Sequence, residues 1–301
     1  MKTSRRDFVC KSALAAAGIA FSSKLRASGD RAVELNLFNL QANNESPRVC
    51  VFSKHFPGTG YDELSAVIAK IGFDGIDLTV REEGHVQPEN AARDLPLAVA
   101  AAERLGLKIF MITTSIVDAD DRFTEPILKT AASLGIKHYR MGPRYYDEKK
   151  SISANMAAFK TQLKKLDSLN RKYRIHGECQ NHSGDGFGAP VWDLWEVLKD
   201  INSPWTGIQY DIFHATVEGT YSWPLGFNLV KPYIGSLDIK DFMWKKAGDK
   251  WELQSVALGD GMVDYKKFLA LLKENKLQGP FSLHYEYLTE KDELPARSAK
   301  M

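Results

Sequence analysis

The sequence is poor in cysteine, nearly balanced in charge and without a long apolar run after its first thirty residues. Its three cysteines, Cys10, Cys50 and Cys179, have no C-x-x-C spacing, which argues against a disulfide framework and a thiolate zinc site. We expect each of the three cysteines to be a small core residue, and we disfavour a disulfide bridge between Cys50 and Cys179. The 40 Lys and Arg residues against 38 Asp and Glu leave a net charge of +2. This balance disfavours nucleic acid or an anionic membrane surface as a partner.

The first thirty residues are typical of an export signal. Residues 4–11 read SRRDFVCK, and an apolar run at 13–21 follows. That run is far shorter than the roughly 20 residues that span a bilayer, so we expect no membrane anchor. The segment resembles the twin-arginine signal, Ser/Thr-Arg-Arg-x-Phe before an apolar residue; the alternative is a chance basic start to an amphipathic helix. The resemblance implies the twin-arginine export machinery as a partner and a periplasmic or otherwise exported protein.

After the signal, short strand-like runs alternate with stretches of helical periodicity. The predicted strands are 49–53, 75–79, 108–113, 138–141, 174–180, 205–210, 234–239 and 280–285. The predicted helices are 62–71, 95–105, 125–134, 154–173, 192–199, 226–230 and 265–275. Eight such units in about 250 residues are the size of a (β/α)8 TIM barrel, an α/β fold. We therefore predict a signal at 1–30 and a single barrel domain at 31–301.

Glycine marks four of the helix-to-strand linkers. Gly72, Gly106, Gly135 and Gly279 each stand near the expected end of a helix, where glycine supplies a left-handed C-cap. A doubly wound open sheet is the alternative architecture. It would need a glycine-rich phosphate turn after the first strand, and the sequence FPGTG at 56–60 lacks the third glycine and the required spacing.

Polar residues lie at the end of every predicted strand or directly after it. They are Lys54 and His55; Arg81 and His85; Thr113 and Thr114; Arg140; Glu178, Gln180 and His182; Asp211 and His214; Asp238, Lys240 and Asp241; and His284 and Glu286. In a TIM barrel the carboxyl ends of the strands and their loops form the one open, concave face. The sequence therefore predicts that the functional site lies at this face.

Alternation along the strands indicates which of these side chains point inward, because residues i and i+2 share a face. The inward set should bring Glu178 or Gln180 together with Asp211, Asp238 and His284. Such a set of oxygen and nitrogen donors suits one divalent ion, Mn²⁺, Zn²⁺ or Mg²⁺. The alternative is a metal-free network of ion pairs, with partners Lys54, Arg81, Arg140 and Lys240.

Five segments then identify a family resemblance. They are Gln180-Asn181-His182, Asp211-Ile212-Phe213-His214, Asp238-Ile239-Lys240-Asp241, Leu258-Gly259-Asp260-Gly261 with Val263-Asp264, and Gly279 to Glu286. Together they resemble the sugar phosphate isomerase/epimerase superfamily, the xylose isomerase-like barrels that include tagatose epimerases, inosose dehydratases and endonuclease IV. The likeness covers about residues 49–287.

The resemblance implies a ligand set, from which this sequence departs. In the family, Glu, Asp, His and Glu hold one divalent ion, and the matching positions here are Gln180, Asp211, Asp238 and His284. Three of these four positions differ from the family, and Glu178 could replace the charge missing at Gln180. A metal-free variant is therefore the main alternative.

The resemblance also implies chemistry at the carbon next to a sugar carbonyl. Glu178 or Glu286 would be the base, with His182, His214 and Lys240 as further catalytic residues. Substrate-binding residues would be Lys54, His55, Arg81, His85, Arg140 and Trp244. We expect a sugar isomerase or epimerase that uses metal-assisted proton transfer on a free or oxidised keto-sugar, since an exported enzyme would rarely meet sugar phosphates.

Three other functions stay open or are disfavoured. The same enediolate could expel a leaving group, which would make the protein a lyase or dehydratase acting on a keto-sugar or keto-glycoside. A periplasmic sugar-binding protein without catalysis would keep the pocket and lose the metal. The near-neutral net charge of the chain and its altered set of metal ligands disfavour a nuclease of the endonuclease IV type. The small-molecule partner would be a sugar, and a homo-oligomer is compatible with the sequence.

Overall fold

Eight parallel strands close into a barrel in the computed structural model, which describes residues 48–287. The strands of the barrel are β1 (Val49–Phe52), β2 (Gly75–Val80), β3 (Lys108–Thr114), β4 (His138–Arg140), β5 (His176–Gln180), β6 (Thr206–Asp211), β7 (Ile234–Ile239) and β10 (Phe281–Leu283). They pair in the order β1-β10-β7-β6-β5-β4-β3-β2, and β1 closes the ring onto β2. All eight predicted strands are confirmed, and the TIM-barrel fold with them.

Helices surround the barrel between its strands. They are α1 (Tyr61–Ile71), α2 (Ala91–Arg104), α3 (Thr124–Ser133), α4 (Ile152–Tyr173), α5 (Val191–Ile201), α6 (Ile212–Gly219), α7 (Trp223–Val230) and α8 (Tyr265–Glu274). Their apolar faces pack on the outside of the sheet and form the main core with residues such as Leu64, Leu95, Leu194 and Phe268. Burial of this shell leaves the polar inward residues of the strands to form the barrel interior.

An antiparallel hairpin interrupts the barrel after β7. Its strands are β8 (Asp241–Ala247) and β9 (Lys250–Val256), paired from Asp241 with Val256 to Ala247 with Lys250. Gly248 adopts φ +62° in the two-residue turn, a left-handed conformation that glycine adopts at little cost. No strand or helix is predicted between 239 and 265, so the hairpin adds two strands to the predicted eight. Most of the hairpin is exposed to solvent.

Three of the four predicted glycine caps are confirmed. Gly72, Gly106 and Gly135 have φ of +100°, +76° and +82°. The fourth is wrong, because the left-handed residue after α8 is Lys276, with φ +54°. Gly279 is required for space instead: a Cβ there would lie 2.2 Å from the carbonyl oxygen of Gly235.

The remaining predictions about organisation divide into two groups. Cys50 and Cys179 are buried and unbridged, as expected. None of the helices within residues 48–287 has the length and apolarity needed to cross a membrane. The predicted export signal at 1–30 lies outside the described residues, as do the two ends of the predicted domain.

Candidate active site at the carboxyl ends of the barrel strands

Two carboxylates form the centre of the site. Asp211 ends β6 and stands in register with Asp238 of β7, and neither is exposed to solvent. The side-chain amide of Gln180, from the end of β5, donates to both: its Nε2 lies 2.9 Å from Asp211 Oδ2 and 2.6 Å from Asp238 Oδ2. Asp211 also caps α6, since its Oδ1 accepts the amide of His214. Three of the four predicted ligands therefore meet here.

Lys240 brings a positive charge into the same cluster. Its Nζ lies 3.0 Å from Asp211 Oδ2 and 3.6 Å from Glu286 Oε2, although only 3% of the side chain is exposed. Burial alone would lower the pKa of Lys240, but Asp211, Glu286 and Asp238 outweigh it and raise that pKa. The ammonium also lies 4.9 Å from the centre of the Phe213 ring. The site thus contains a charged donor without solvent around it.

His214 connects this ammonium to the loop after β5. Its Nε2 lies 2.8 Å from Lys240 Nζ, and its Nδ1 lies 2.8 Å from Ser183 Oγ. An ammonium has no acceptor, so Nε2 accepts, and the neutral ring carries its proton on Nδ1, which donates to Ser183. Burial and the charge of Lys240 lower the pKa of His214 well below its ordinary value. The His182 ring lies against this ring, with the centroids 3.8 Å apart and the planes tilted by 37°.

His284 and Glu286 complete the cluster on the last barrel strand and the turn after it. The His284 ring stacks on Phe52 at 4.6 Å, and its Nε2 lies 3.3 Å from Asp238 Oδ1. Burial opposes the charged form of His284, but Asp238 and Glu286 raise its pKa. Burial also disfavours the charged form of Glu286, yet His284, Lys240 and Lys54 hold its pKa well below the usual range. Glu286 is the accessible carboxylate, with 30% of its side chain exposed.

The pKa values of Asp211 and Asp238 are shifted in opposite directions. Burial, opposed by Lys240 and reinforced by Asp238, raises the pKa of Asp211. Burial would also raise the pKa of Asp238, but His284 outweighs it and lowers that pKa. Paired titratable groups whose pKa values are driven apart are typical of sites that move protons.

The predicted ligand set does not fit a divalent ion as it is arranged. Gln180 presents N–H donors to both carboxylates, whereas its Oε1 accepts from Arg140 at 3.0 Å. Lys240 already occupies Asp211 Oδ2. Asp238 and Glu286 raise the pKa of His284, so a proton competes with a metal for its ring nitrogens. The three carboxylates are matched by cationic and amide donors of the chain itself.

Glu178 lies apart from this cluster, deeper in the barrel. It is fully buried and accepts from His138 Nδ1 at 2.6 Å, from His176 Nδ1 at 2.8 Å and from Ser236 Oγ. Of the two alternatives predicted for β5, Gln180 reaches the site and Glu178 does not. Burial alone would raise the pKa of Glu178, but the two histidines outweigh this effect, and the pKa is lowered.

Within residues 48–287, His138, His176 and Glu178 are the one group of three side chains close enough together to share a metal ion. Their separations are hydrogen-bond lengths, and both imidazoles contact one oxygen, Glu178 Oε1. A zinc ion would hold its nitrogen and oxygen donors about 3.3 Å apart. The histidines begin β4 and β5, so the group lies toward the barrel end opposite the candidate site.

The predicted substrate-binding residues separate into three groups. Arg140, at the end of β4, donates to Gln180, and Arg81, directly after β2, lines a pocket beside that residue. Lys54 is exposed nearby, whereas Trp244 lies on the hairpin, 42% exposed. His55 and His85 are held by hydrogen bonds within the protein.

Both of these histidines bond to loop backbone. His55 Nε2 accepts the amide of Tyr285 at 3.0 Å, and burial, with a contribution from His284, lowers its pKa to about 3. His85 bonds Thr79 Oγ1 through Nδ1 at 3.0 Å and the carbonyl of Phe56 through Nε2 at 3.1 Å. These contacts favour a structural role for both rings.

Four further residues, which were not predicted from the sequence, lie in the site or beside it. Ser183 and Arg144 lie in the loops after β5 and β4 and line a pocket next to Gln180. Asp77 and Gln209 point inward from within β2 and β6, where Asp77 accepts from Thr113 and Ser282, and Gln209 donates to Asp238. The i, i+2 alternation of β2 and β6 predicts that Asp77 and Gln209 point inward, whereas no strand pattern extends to the two loop residues.

Comparisons with known proteins agree with this architecture. A family model described as xylose isomerase-like TIM barrel matches residues 65–301. A Haemophilus influenzae protein provisionally named L-ribulose-5-phosphate 3-epimerase is 30% identical over 105 residues, which are 35% of this chain and 35% of that protein. The chain therefore matches only about a third of that relative's length.

Two solved structures illustrate the shared fold. The apo form of 3-keto-D-glucoside 4-epimerase from E. coli superposes with a TM-score of 0.63 at 13% identity, covering 85% of this chain and 100% of that chain. A xylose isomerase-like TIM barrel protein from Mycobacterium smegmatis in complex with magnesium gives 0.60 at 17% identity, covering 84% and 94%. At such identities the likeness shows the fold alone. The magnesium complex shows that the Mycobacterium smegmatis protein of this fold binds a divalent ion.

Proposed function

Because this chain belongs to the xylose isomerase-like TIM barrel family, we propose that it is a sugar isomerase or epimerase that moves a proton at the carbon next to a carbonyl. The observation that carries the proposal is the placement of Lys240 between Asp211 and Glu286, at 3.0 and 3.6 Å. An ammonium beside an accessible carboxylate supplies a proton donor and a proton acceptor within reach of one substrate carbon.

The roles follow from charge and access. The ammonium of Lys240 donates to the carbonyl oxygen of the sugar and stabilises the negative charge that develops there. Glu286, the accessible carboxylate, takes the proton from the neighbouring carbon, so that the C–H electrons form the enediolate. Its low pKa makes it a weak base while Lys240 and His284 both face it. When Lys240 turns its donor to the substrate, Glu286 loses part of that stabilisation and becomes a stronger base.

Return of the proton decides the product. Glu286 can give it to the former carbonyl carbon while the neighbouring hydroxyl passes its proton to the former carbonyl oxygen and itself becomes the carbonyl, which gives an isomer. His182, exposed above His214, can supply a proton from another side, which gives an epimer. Expulsion of a leaving group from the same enediolate would give the lyase reaction.

This mechanism uses no metal ion, because Gln180 and Lys240 occupy the carboxylate oxygens that would hold one. A divalent ion, when bound, supplies Lewis-acid polarisation of a substrate oxygen. The metal-assisted form, with Gln180, Asp211, Asp238 and His284 as ligands, stays a prediction that metal analysis of protein purified without chelators tests. Less than about half an equivalent, with no gain in activity on adding Mn²⁺, Zn²⁺ or Mg²⁺, would overturn it.

The location proposed for the protein narrows its substrate. Residues 4–11 support export through the twin-arginine pathway. A fusion of residues 1–30 to a reporter that is active only after export tests this, with Arg5 and Arg6 replaced by Lys as the control. An exported enzyme would meet free or oxidised sugars and glycosides, and we propose keto forms of these as substrates.

Incubation with candidate keto-sugars in D₂O tests the reaction. We expect deuterium at the carbon next to the carbonyl, and product analysis then separates an epimer or isomer from an elimination product. Lys240→Met should abolish exchange, whereas Lys199→Met, at an exposed pair with Glu196, should leave it unchanged. A sugar that binds without any exchange would show a binding protein and overturn the enzymatic proposal.

A further inference from the structure

A second pocket adjoins the carboxylate cluster and is unusually rich in arginine. It has a volume of about 310 Å³ and opens at the carboxyl ends of β3, β4 and β5, with Gln180 in its wall. Arg81, Arg140 and Arg144 line it, against a single carboxylate, that of Asp185. The Asp185 side chain is exposed, so water screens its charge. The pocket therefore has an excess of buried or partly buried positive charge.

Arg144 is the most deeply placed of the three. Only 6% of it is exposed, and within the described residues its guanidinium contacts no carboxylate. Nη2 donates to the carbonyl of Val117 at 3.0 Å, Nη1 lies 3.5 Å from the carbonyl of Gly142, and Nε has no hydrogen-bond partner. Its other contacts are sulfur atoms at 3.9 Å. A buried guanidinium without a counter-charge is costly unless an anion joins it.

Arg81 and Arg140 place two like charges over one ring. Their guanidinium carbons lie 5.8 and 5.1 Å from the centre of Phe52. Arg140 uses one donor on Gln180 Oε1. Arg81 makes no side-chain hydrogen bond or ion pair within residues 48–287, and burial together with the charge of Arg140 lowers its pKa. Both groups keep donors free toward the pocket.

We propose that this pocket binds the anionic group, a carboxylate or a phosphate, of the substrate sugar. The proposal rests on the function proposed above and adds the charge of the substrate to it. A guanidinium presents paired N–H donors that match the two oxygens of a carboxylate or phosphate. An anion there would neutralise the excess charge and fill donors that a neutral sugar would leave without an ionic partner.

The pocket also orients such a sugar toward the reactive groups. His182 lines the pocket and lies against His214, which bonds Lys240. An acid group held by the arginines therefore directs the rest of the sugar along His182 to the ammonium. A uronic or aldonic acid and a sugar phosphate share the anionic chemistry and differ in the size and charge of the group.

Calorimetric titration with four probes tests the pocket: inorganic phosphate, D-glucuronate, D-glucose 6-phosphate and the neutral methyl D-glucoside. We expect the anionic sugars to bind at least about tenfold more tightly than the neutral one, with affinity falling as NaCl is raised. The stronger of the two anionic sugars identifies the acid group. Equal affinity for charged and neutral sugars, or an affinity for the anions that salt does not change, would overturn the proposal.

Variants locate the binding. Arg81→Gln should weaken binding of the anionic sugars about tenfold and leave binding of the neutral sugar unchanged, whereas Arg81→Lys should keep part of the affinity. Because Arg144→Met alters a buried site, its fold is checked by circular dichroism before titration. Arg122→Gln is the matched control, since Arg122 stacks on Phe123 at 4.4 Å outside the pocket. If Arg81→Gln binds as the parent does, the assignment is wrong.

The deuterium experiment keeps the two proposals apart. Exchange in a neutral keto-sugar without preference for the anionic form would preserve the isomerase proposal and overturn this one. Tight, arginine-dependent binding of an anionic sugar without exchange in any keto-sugar would do the reverse.

Discussion

The ammonium of Lys240 lies 3.0 Å from Asp211 Oδ2 in a part of the barrel where 3% of the lysine side chain and none of the aspartate side chain is exposed. Removing one member of a buried ion pair leaves the other charge without compensation, which typically costs about 3 to 5 kcal/mol. We expect Lys240→Met to lower the free energy of unfolding by that amount, measured by urea denaturation at pH 7.

The matched control is Lys199→Met. Lys199 pairs with Glu196 at 2.7 Å, but both side chains are at least one-third exposed, and such surface pairs contribute only about 0 to 1 kcal/mol. Equal effects of the two substitutions would show that Lys240 is not energetically coupled to the carboxylates.

Gln180→Glu should convert the cluster into a metal site. The substitution replaces the amide that donates to Asp211 and Asp238 with a third carboxylate, and like charges this close repel unless a cation joins them. We expect the variant to be less stable than the parent in the presence of a chelator and to gain stability on addition of Mn²⁺ or Mg²⁺, because binding to the folded state alone stabilises it.

Thermal unfolding with and without the ion measures this change, and the parent protein is the reference. The parent should show little response to the ion, since Gln180 and Lys240 already satisfy its carboxylates. A larger stabilisation of the parent than of the variant would overturn the account of why the present arrangement does not fit an ion.

The strands of the barrel could be predicted because local signals determine them. Short β-branched runs, helical periodicity and glycine caps such as Gly72 act over a few residues. The gathering of Asp211, Asp238 and His284 followed from topology, since parallel strand ends meet at one face.

What could not be predicted depends on side-chain geometry. The orientation of the Gln180 amide, which decides whether it offers an oxygen or a proton, is set by Arg140 on one side and two carboxylates on the other. The depth of Glu178 is set by histidines at the starts of two strands. The hairpin has a local signal, two strand-like runs on either side of Gly248 and Asp249, although no strand is predicted there from the sequence.

Gly235→Ala should disrupt the Glu178 group. A Cβ at Gly235 would lie 2.5 Å from Glu178 Oε1 and 2.6 Å from His176 Nδ1, so the buried carboxylate and the ring must shift. Overpacking of this kind costs about 1 to 3 kcal/mol, which urea denaturation should detect. Gly60→Ala is the control, because Gly60 has φ −73° and nothing lies within 4 Å of its Cβ position. Comparable losses in both variants would contradict the steric explanation.

Asp77→Asn should change how stability depends on pH. Asp77 is fully buried between Thr113 and Ser282, and burial raises its pKa from 3.8 to about 6. Between these values the folded protein keeps a proton that the unfolded chain releases, so the carboxyl lowers the free energy of unfolding as pH rises from about 4 to about 6. A shift of this size corresponds to about 3 kcal/mol. Asparagine cannot ionise and removes that slope.

The difference in free energy of unfolding, Asp77→Asn minus parent, should therefore rise from pH 4 to pH 6 and stay level above it. Urea denaturation at half-unit intervals from pH 4 to pH 8 measures the curve. Asp249→Asn, at the exposed hairpin turn, should differ from the parent by less than about 0.5 kcal/mol at every pH. A flat difference curve for Asp77→Asn would mean that Asp77 keeps its ordinary pKa, because Arg140, the largest opposing influence on this carboxyl, offsets the cost of burial.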